Sequence, residues 1–223
     1  MKREGLISLT LLALVTAACS WFGNSEPSNG GTAPTSNANT TANTVITTTR
    51  ENPAADIDAM ADKFLAQKSF RAKMLGTGDK DVKTDLEFVA PDRFRIKTGP
   101  GLETIVIGKD VYVSLEGSYM KLPGGMPDSV PNLREAFEKE GRKWFSDVRF
   151  VGEDSVNGRP SYAYDYVNKG PQNAGENNSK IWVAKDDGLP LRIESRYKSG
   201  NLKTMTIEYE YDPNIKIEVP KTK

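Results

Sequence analysis

The sequence predicts an α+β fold that is mainly β, built on a curved antiparallel sheet with a few covering helices. Apolar and polar residues alternate with a period of two through most of the chain beyond residue 68. Turn residues separate these runs, and only two segments show helical periodicity. Together the runs predict about ten or eleven strands in one domain, without an internal repeat.

The first 18 residues have the features of a signal peptide. Met1-Lys2-Arg3 gives a positive start, and the apolar run from Leu6 to Ala18 is shorter than the about 20 residues that cross a bilayer. Small residues lie directly before Cys19, the only cysteine of the chain. This arrangement resembles the lipobox of bacterial lipoproteins. We therefore expect Cys19 to be the lipid attachment site, carrying acyl chains such as palmitate. An ordinary secretory signal is the alternative.

A tether and an anchored location follow from this prediction. Acyl chains on Cys19 would hold the chain at a membrane. Ser20 follows in place of aspartate, which under the usual sorting rule of diderm bacteria indicates the outer membrane, facing the periplasm. Residues 19–52 are rich in Ser, Asn, Thr, Gly and Pro, so we expect a disordered tether with a reach of roughly 30 Å. The folded domain is expected over residues 53–223.

Composition argues against several function classes. Lys+Arg and Asp+Glu are equal at 30 each, so nucleic acid is not an expected partner. With no histidine and one cysteine, the chain lacks histidine-dependent triads and cysteine-rich metal sites. We assign the paired carboxylates Asp56/Asp58 and Asp186/Asp187 to a helix start and a turn rather than to a cation. The sequence thus predicts a monomer that is not an enzyme, with no catalytic residue, metal or cofactor.

Two segments are predicted to be amphipathic helices. Asn52-Pro53 favours the start of the first helix. Its apolar stripe is Ile57, Met60, Ala61 and Phe64. The second is predicted from Ser129 to Glu140, with Gly141 as the residue that follows it. Its stripe is Val130, Leu133, Ala136 and Phe137. Because two helices are too few to form their own core, we expect both to cover the concave face of the sheet.

The strands are predicted in two groups. A meander runs from Phe70 to Leu122, although the apolar loop 117–127 could alternatively contact a membrane or a partner. A second group begins at 144–151 and continues through the alternating tyrosines of 162–166. After a polar loop over 170–179, a hairpin turns at Asp186-Asp187-Gly188. The last predicted strands contain residues 205–211 and 215–219.

The order of these elements resembles the LolA/LolB-like superfamily of periplasmic lipoprotein carriers and lipid-binding lipoproteins. The resemblance extends from Asp56 to Pro220, and the order of several short strings carries it. The strings are KSFRA at 68–72, LEFVAPDRFRI at 86–96, ETIVIGKDVYV at 103–113, IWV at 181–183 and GLPLRI at 188–193. The chain differs from the soluble carrier at Ile96, where a tryptophan is frequent.

The resemblance implies an incomplete antiparallel β-barrel with helices on its concave face and a hydrophobic cavity between them. Such a cavity would bind acyl chains of lipids or lipoproteins without chemistry, for transport or sorting. The expected contacts from the sheet are Leu86, Phe88, Phe94, Ile96, Ile105, Ile107, Val113, Ile193 and Ile207. The expected contacts from the helices are Met60, Phe64, Leu133 and Phe137. An ordinary filled core explains the same pattern, and a protein-interaction or stress-sensing module of the RseB/MucB type is the alternative function.

Overall fold

The computed structural model describes residues 50–115, 117–123, 133–170 and 176–222. The helices are α1 (Pro53–Leu65), a 3₁₀ turn (Glu135–Phe137) and the one-turn α2 (Lys139–Arg142). The first six strands are β1 (Ser69–Gly78), β2 (Val82–Val89), β3 (Arg93–Thr98), β4 (Leu102–Ile107), β5 (Asp110–Leu115) and β6 (Ser118–Leu122). The other five are β7 (Phe145–Val156), β8 (Arg159–Asn168), β9 (Asn177–Ala184), β10 (Pro190–Tyr197) and β11 (Leu202–Glu210).

All eleven strands form one antiparallel sheet in the order β6-β5-β4-β3-β2-β1-β11-β10-β9-β8-β7. Two meanders, β1–β6 and β7–β11, are joined where β1 pairs with β11, with Arg71 opposite Glu210. Since every strand pair twists, a sheet of this width curls and gains a concave face. Strands β6 and β7 lie at its two edges. The predicted fold class, a mainly β incomplete barrel, is confirmed.

Helix α1 begins as its sequence predicts. The side chain of Asn52 accepts a hydrogen bond from the amide of Ala55 at 3.1 Å, and Pro53 opens the first turn. The predicted stripe of Ile57, Met60, Ala61 and Phe64 is buried. The helix covers one face of the sheet, called here the inner face, and the opposite face is the outer face. Within the described residues, no helix is both long enough and apolar enough to cross a bilayer.

The predicted second helix is wrong over its described part. A 3₁₀ turn and the four-residue α2 replace it, because Glu138 between them has an extended ψ of 162°. Gly141 lies inside α2, where an added Cβ would be 2.1 Å from the carbonyl oxygen of Glu135. Val130 and the predicted helix start at Ser129 lie outside the described residues. Phe137 is nevertheless buried in the main core.

The predicted last strand is also wrong. Ile215 and Ile217 are buried on the outer face against Ile105 and Tyr112, but their segment joins no strand. The side chain of Arg93 donates to the carbonyl oxygen of Ile217 at 2.7 Å, where a strand would have a main-chain donor. In the second meander, β9 begins at residue 177, inside the predicted polar loop, and residues 171–175 lie outside the described part.

Candidate functional site

The inner face under α1 is filled by side chains of the chain itself. The Phe64 ring centroid lies 5.0 Å from those of Phe70 and Phe137 and 5.3 Å from that of Tyr209. These distances are typical of packed aromatic pairs. Of the predicted contacts, Leu86, Phe88, Ile96, Ile193, Met60, Phe64 and Phe137 are all buried in this cluster. They are therefore brought together, but they pack on one another.

Other predicted contacts lie at the margin of this cluster. Phe94, Ile207 and Leu133 are partly buried and pack against it. Val113 is half-buried, and on β5 it pairs with Thr104 and Met120. The β3–β4 register puts Val106 opposite Phe94, so Val106 and Val113 belong to the same inner face.

The expected inward orientation of Ile105 and Ile107 is wrong. Both contact the outer-face cluster of Tyr112, Ile215 and Ile217. The string Ile-Val-Ile is apolar on both faces of β4, so a period of two cannot decide which residue points inward. The fully buried Val106 occupies the inner position, although it was not among the predicted contacts.

At the β2–β6 end of the sheet, the inner face carries large apolar side chains in contact with water. Val82 is 45% exposed, Leu102 39%, Met120 58% and Leu122 37%. We call these four residues the exposed strip. Their pairing with Gly76, Thr98, Val113 and Val111, respectively, places them on the inner face. The alternation of Leu86 and Phe88, extended back along β2 to residue 82, would have identified Val82 as an inner-face residue of the strip.

The exposed strip continues directly into the buried core. Leu122 pairs with Val111 on β5, and Val111 pairs with Val106 on β4. Val106 pairs with Phe94, and the Phe94 ring lies 5.2 Å from that of Phe88. One row of apolar side chains thus runs across the sheet from water into the core.

Polar contacts fix α1 above this face. Two nitrogens of the Arg50 guanidinium donate to the Asp56 carboxylate at 2.5 and 2.8 Å, and the Tyr164 hydroxyl donates to it at 2.9 Å. The hydrogen bonds from Arg50 hold the pKa of Asp56 below its usual value, despite partial burial. Burial, together with Asp56, raises the pKa of Tyr164. Lys63 donates to the carbonyl oxygen of Asp187 at 2.9 Å.

The segment after β6 holds the other side of α1. The Arg134 guanidinium donates to the carbonyl oxygen of Leu65 at 2.5 Å, at the C-terminal end of the helix, and it stacks over Phe88 at 4.7 Å. Arg142 donates to Asp62 on the exposed side of the helix. Helix α1 is therefore fixed at several points along its length.

The paired carboxylates have structural partners. The guanidinium of Arg159 contacts Asp186 at 2.8 Å and Asp187 at 2.6 Å. Asp187 also accepts from the amide of Leu189 at 2.9 Å within the β9–β10 turn. No group of three or more metal-ligating side chains occurs in residues 50–222 as far as they are described.

Polar atoms of the inner face are largely occupied by one another. The Ser179 hydroxyl donates to Asn177 at 2.7 Å and lies 2.8 Å from the Ser195 hydroxyl. Burial raises the pKa of Tyr166 to about 12, so this phenol stays neutral at physiological pH. The chemistry that this face presents is apolar contact.

Comparison with known proteins gives the fold. No family model and no curated protein matches the sequence. Among solved structures, the lipoprotein LppX of Mycobacterium tuberculosis aligns with a TM-score of 0.58 and 14% identity, covering 74% of this chain and 98% of LppX. LprF of Mycobacterium bovis aligns with a TM-score of 0.58 and 10% identity, covering 77% and 98%. At these identities the likeness establishes a shared fold, and the fold that the resemblance implied is confirmed.

A third solved structure is less similar. MucB in the Pseudomonas aeruginosa MucA/MucB complex aligns with a TM-score of 0.42 and 17% identity, covering 73% of this chain and 58% of that one. A similarity of this size carries no argument about this chain.

Proposed function

We propose that this chain is a noncatalytic lipoprotein that binds acyl chains of lipids or other lipoproteins on the inner face of its sheet, for their transport or sorting. The observation that supports the proposal is the exposed strip of Val82, Leu102, Met120 and Leu122. Grouped exposed apolar side chains are a feature of sites that bind apolar partners. LppX, which shares the fold, is named a lipoprotein.

The strip is the first contact for an acyl chain, and the core beneath α1 is a second stage. Each methylene that leaves water contributes about 0.8 kcal/mol, so even a short acyl segment on the strip gains several times the thermal energy. The row through Val111 and Val106 leads from the strip toward Phe88. Deeper insertion requires displacement of α1, because Phe64 fills the space below it.

The proposal includes an anchor. Cys19 is acylated after export and holds the chain at the periplasmic face of the outer membrane, where it acts as a monomer. The small residues before Cys19 and the serine after it support this part. An anchored carrier whose apolar face opens to one side can receive or deliver an acyl chain without leaving the membrane surface.

Native mass spectrometry of the purified full chain tests the proposal. We expect the chain to carry co-purified lipid or to take up added palmitate with saturation. Two variants, Leu102→Glu and Met120→Glu, place a charge on the strip and should abolish most of this uptake.

The matched control is Leu75→Glu. Leu75 is 47% exposed but pairs with Lys83 on the outer face, so its substitution should leave uptake unchanged. A chain that neither carries nor takes up lipid would overturn the proposal. Co-purification of an envelope protein in place of lipid would favour the alternative of a protein-interaction module.

A further inference from the structure

A polar cleft of about 420 Å³ lies on the outer face of β7–β10, on the side of the sheet opposite the exposed strip. Its charged lining comprises Arg149, Lys180 and Arg196 together with Asp147, Asp165 and Glu194. Strand β7 has irregular pairing between Ser146 and Arg149, where Asp147 has a φ of +53°. Such a bulge bends a strand and increases its twist. The cleft lies beside this bulge, with Asp147 and Arg149 in its lining.

Two arginines of the cleft differ from the other arginines of the described chain in the partners of their guanidinium groups. Every other arginine within the described ranges directs its guanidinium to a carboxylate or a main-chain oxygen. The pairs are Arg50–Asp56, Arg71–Glu87, Arg93–Ile217, Arg95–Glu87, Arg134–Leu65, Arg142–Asp62, Arg159–Asp186 and Arg192–Glu208. In the described part of the chain Arg149 and Arg196 have no such partner, and both line this cleft.

The carboxylates of the cleft are partly neutralised by cations other than these two. Lys180 lies 3.8 Å from Asp165, and Arg192 lies 4.0 Å from Glu194. Within the described residues, Asp147 accepts a hydrogen bond from the hydroxyl of Ser146 alone, at 3.3 Å. The charged side chains that line the cleft are equal in number, three cations and three carboxylates, and Arg149 and Arg196 are the two of these cations that have no carboxylate partner within the described residues.

We propose that this cleft is a binding site for a phosphate group, held between Arg149 and Arg196. A guanidinium presents paired N–H donors that match the oxygens of phosphate, and a tetrahedral phosphate can accept from two guanidinium groups at once. The two arginines reach the cleft from strands separated by β8 and β9, about 14 Å apart at a strand spacing near 4.8 Å. The phosphate belongs either to a free small molecule or to a phospholipid head group, and this inference does not depend on acyl binding.

Calorimetric titration of the full chain in detergent, with sodium phosphate and with glycerophosphoglycerol, tests the site and its source. We expect saturable binding of at least one. Binding of inorganic phosphate alone indicates a free ligand, and binding of the diester at least as tightly indicates a lipid head group. Arg149→Gln and Arg196→Gln should each weaken binding about tenfold, the effect of one charge-assisted interaction.

The control is Lys83→Gln, which removes an exposed cation of β2 outside the cleft. Lys83→Gln should leave the affinity unchanged within about twofold, because distant surface charges are screened. Failure of both ligands to bind, equal weakening by the control, or binding of acetate as tightly as phosphate would each overturn the inference. Far-ultraviolet circular dichroism of all variants establishes that loss of binding is not loss of fold.

Discussion

The inner face of the sheet has two regions of similar composition that differ in their exposure to water. Beneath α1, apolar side chains from both meanders close on one another, and Phe64 and Ala61 are 0% exposed. Toward β6, side chains of the same kind remain in water, with Met120 58% exposed. The difference lies in what covers them, because among the described residues the helical segments and the 3₁₀ turn pack on the first region.

The difference separates a region that stabilises the fold from a region that is available for binding. Burying a Leu or Phe contributes about 1.5–3 kcal/mol, and the partly exposed side chains of the strip leave roughly half of this contribution unrealised. Proteins retain such locally unfavourable surfaces where function needs them. On this view, the acyl chain of the proposed ligand covers the apolar side chains of the strip, as α1 covers those of the core.

The largest expected effect tests whether the α1 region is the stabilising one. Phe64→Ala should reduce the free energy of unfolding by about 3–5 kcal/mol, because it leaves a cavity among Phe70, Phe137 and Tyr209. Urea denaturation followed by circular dichroism measures it. Phe64→Leu, which refills most of the volume, should recover a large part of the loss. A loss below about 1 kcal/mol for the alanine variant would mean that α1 is only loosely attached.

An intermediate effect tests the attachment of α1 at its first turn. Asp56→Asn should cost about 1–2 kcal/mol at pH 7, since the carboxylate accepts from Arg50 and Tyr164. The folded-state pKa of Asp56 is lowered, so its contribution is complete above the ordinary aspartate pKa of about 4. It is lost as the pH falls through the lowered value.

Stability of the native chain and of Asp56→Asn, measured from pH 7 to pH 2, checks this dependence. The gap between them should be constant down to about pH 5 and should close in acid. Asp58→Asn is the matched control on the same helix, because the Asp58 side chain is 61% exposed and its contact with Arg142 is 3.8 Å long. A gap that widens in acid would contradict the assigned ion pair.

Local signals predicted the parts of this fold that local interactions decide. The Asn52 cap, Pro53 and the spacing of Ile57 and Phe64 specify α1 within a few residues, and Gly188, at φ +73°, ends the predicted β9–β10 turn. The fold class followed from alternation and from the resemblance. The prediction of one helix from Ser129 to Glu140 failed at Glu138, whose extended backbone interrupts its described part.

The remaining features depend on register across strands, which a single sequence does not reveal. Ile105 and Ile107 were assigned to the wrong face because Val106 between them is equally apolar. Arg149 and Arg196 line one cleft because β8 and β9 align between their strands. The exposed strip was missed as a unit because exposure depends on which element covers the sheet, and hydrophobicity alone does not specify that.

The smallest expected effect tests most directly whether the exposed strip is separate from the core, because the strip has side chains of the same kind as those in the core. Leu102→Ser in the lipid-free chain should lower the free energy of unfolding by only about 1 kcal/mol, since Leu102 is already 39% exposed and loses only the contribution of its buried part. Leu75→Ser, on the outer face, should behave in the same way.

With saturating palmitate the two variants should diverge. The added stability that a bound ligand confers should persist in Leu75→Ser and be lost in Leu102→Ser. Urea midpoints with and without palmitate measure both quantities. A loss above about 2 kcal/mol for lipid-free Leu102→Ser would show that the strip belongs to the core, and the division of the inner face into two regions would then fail.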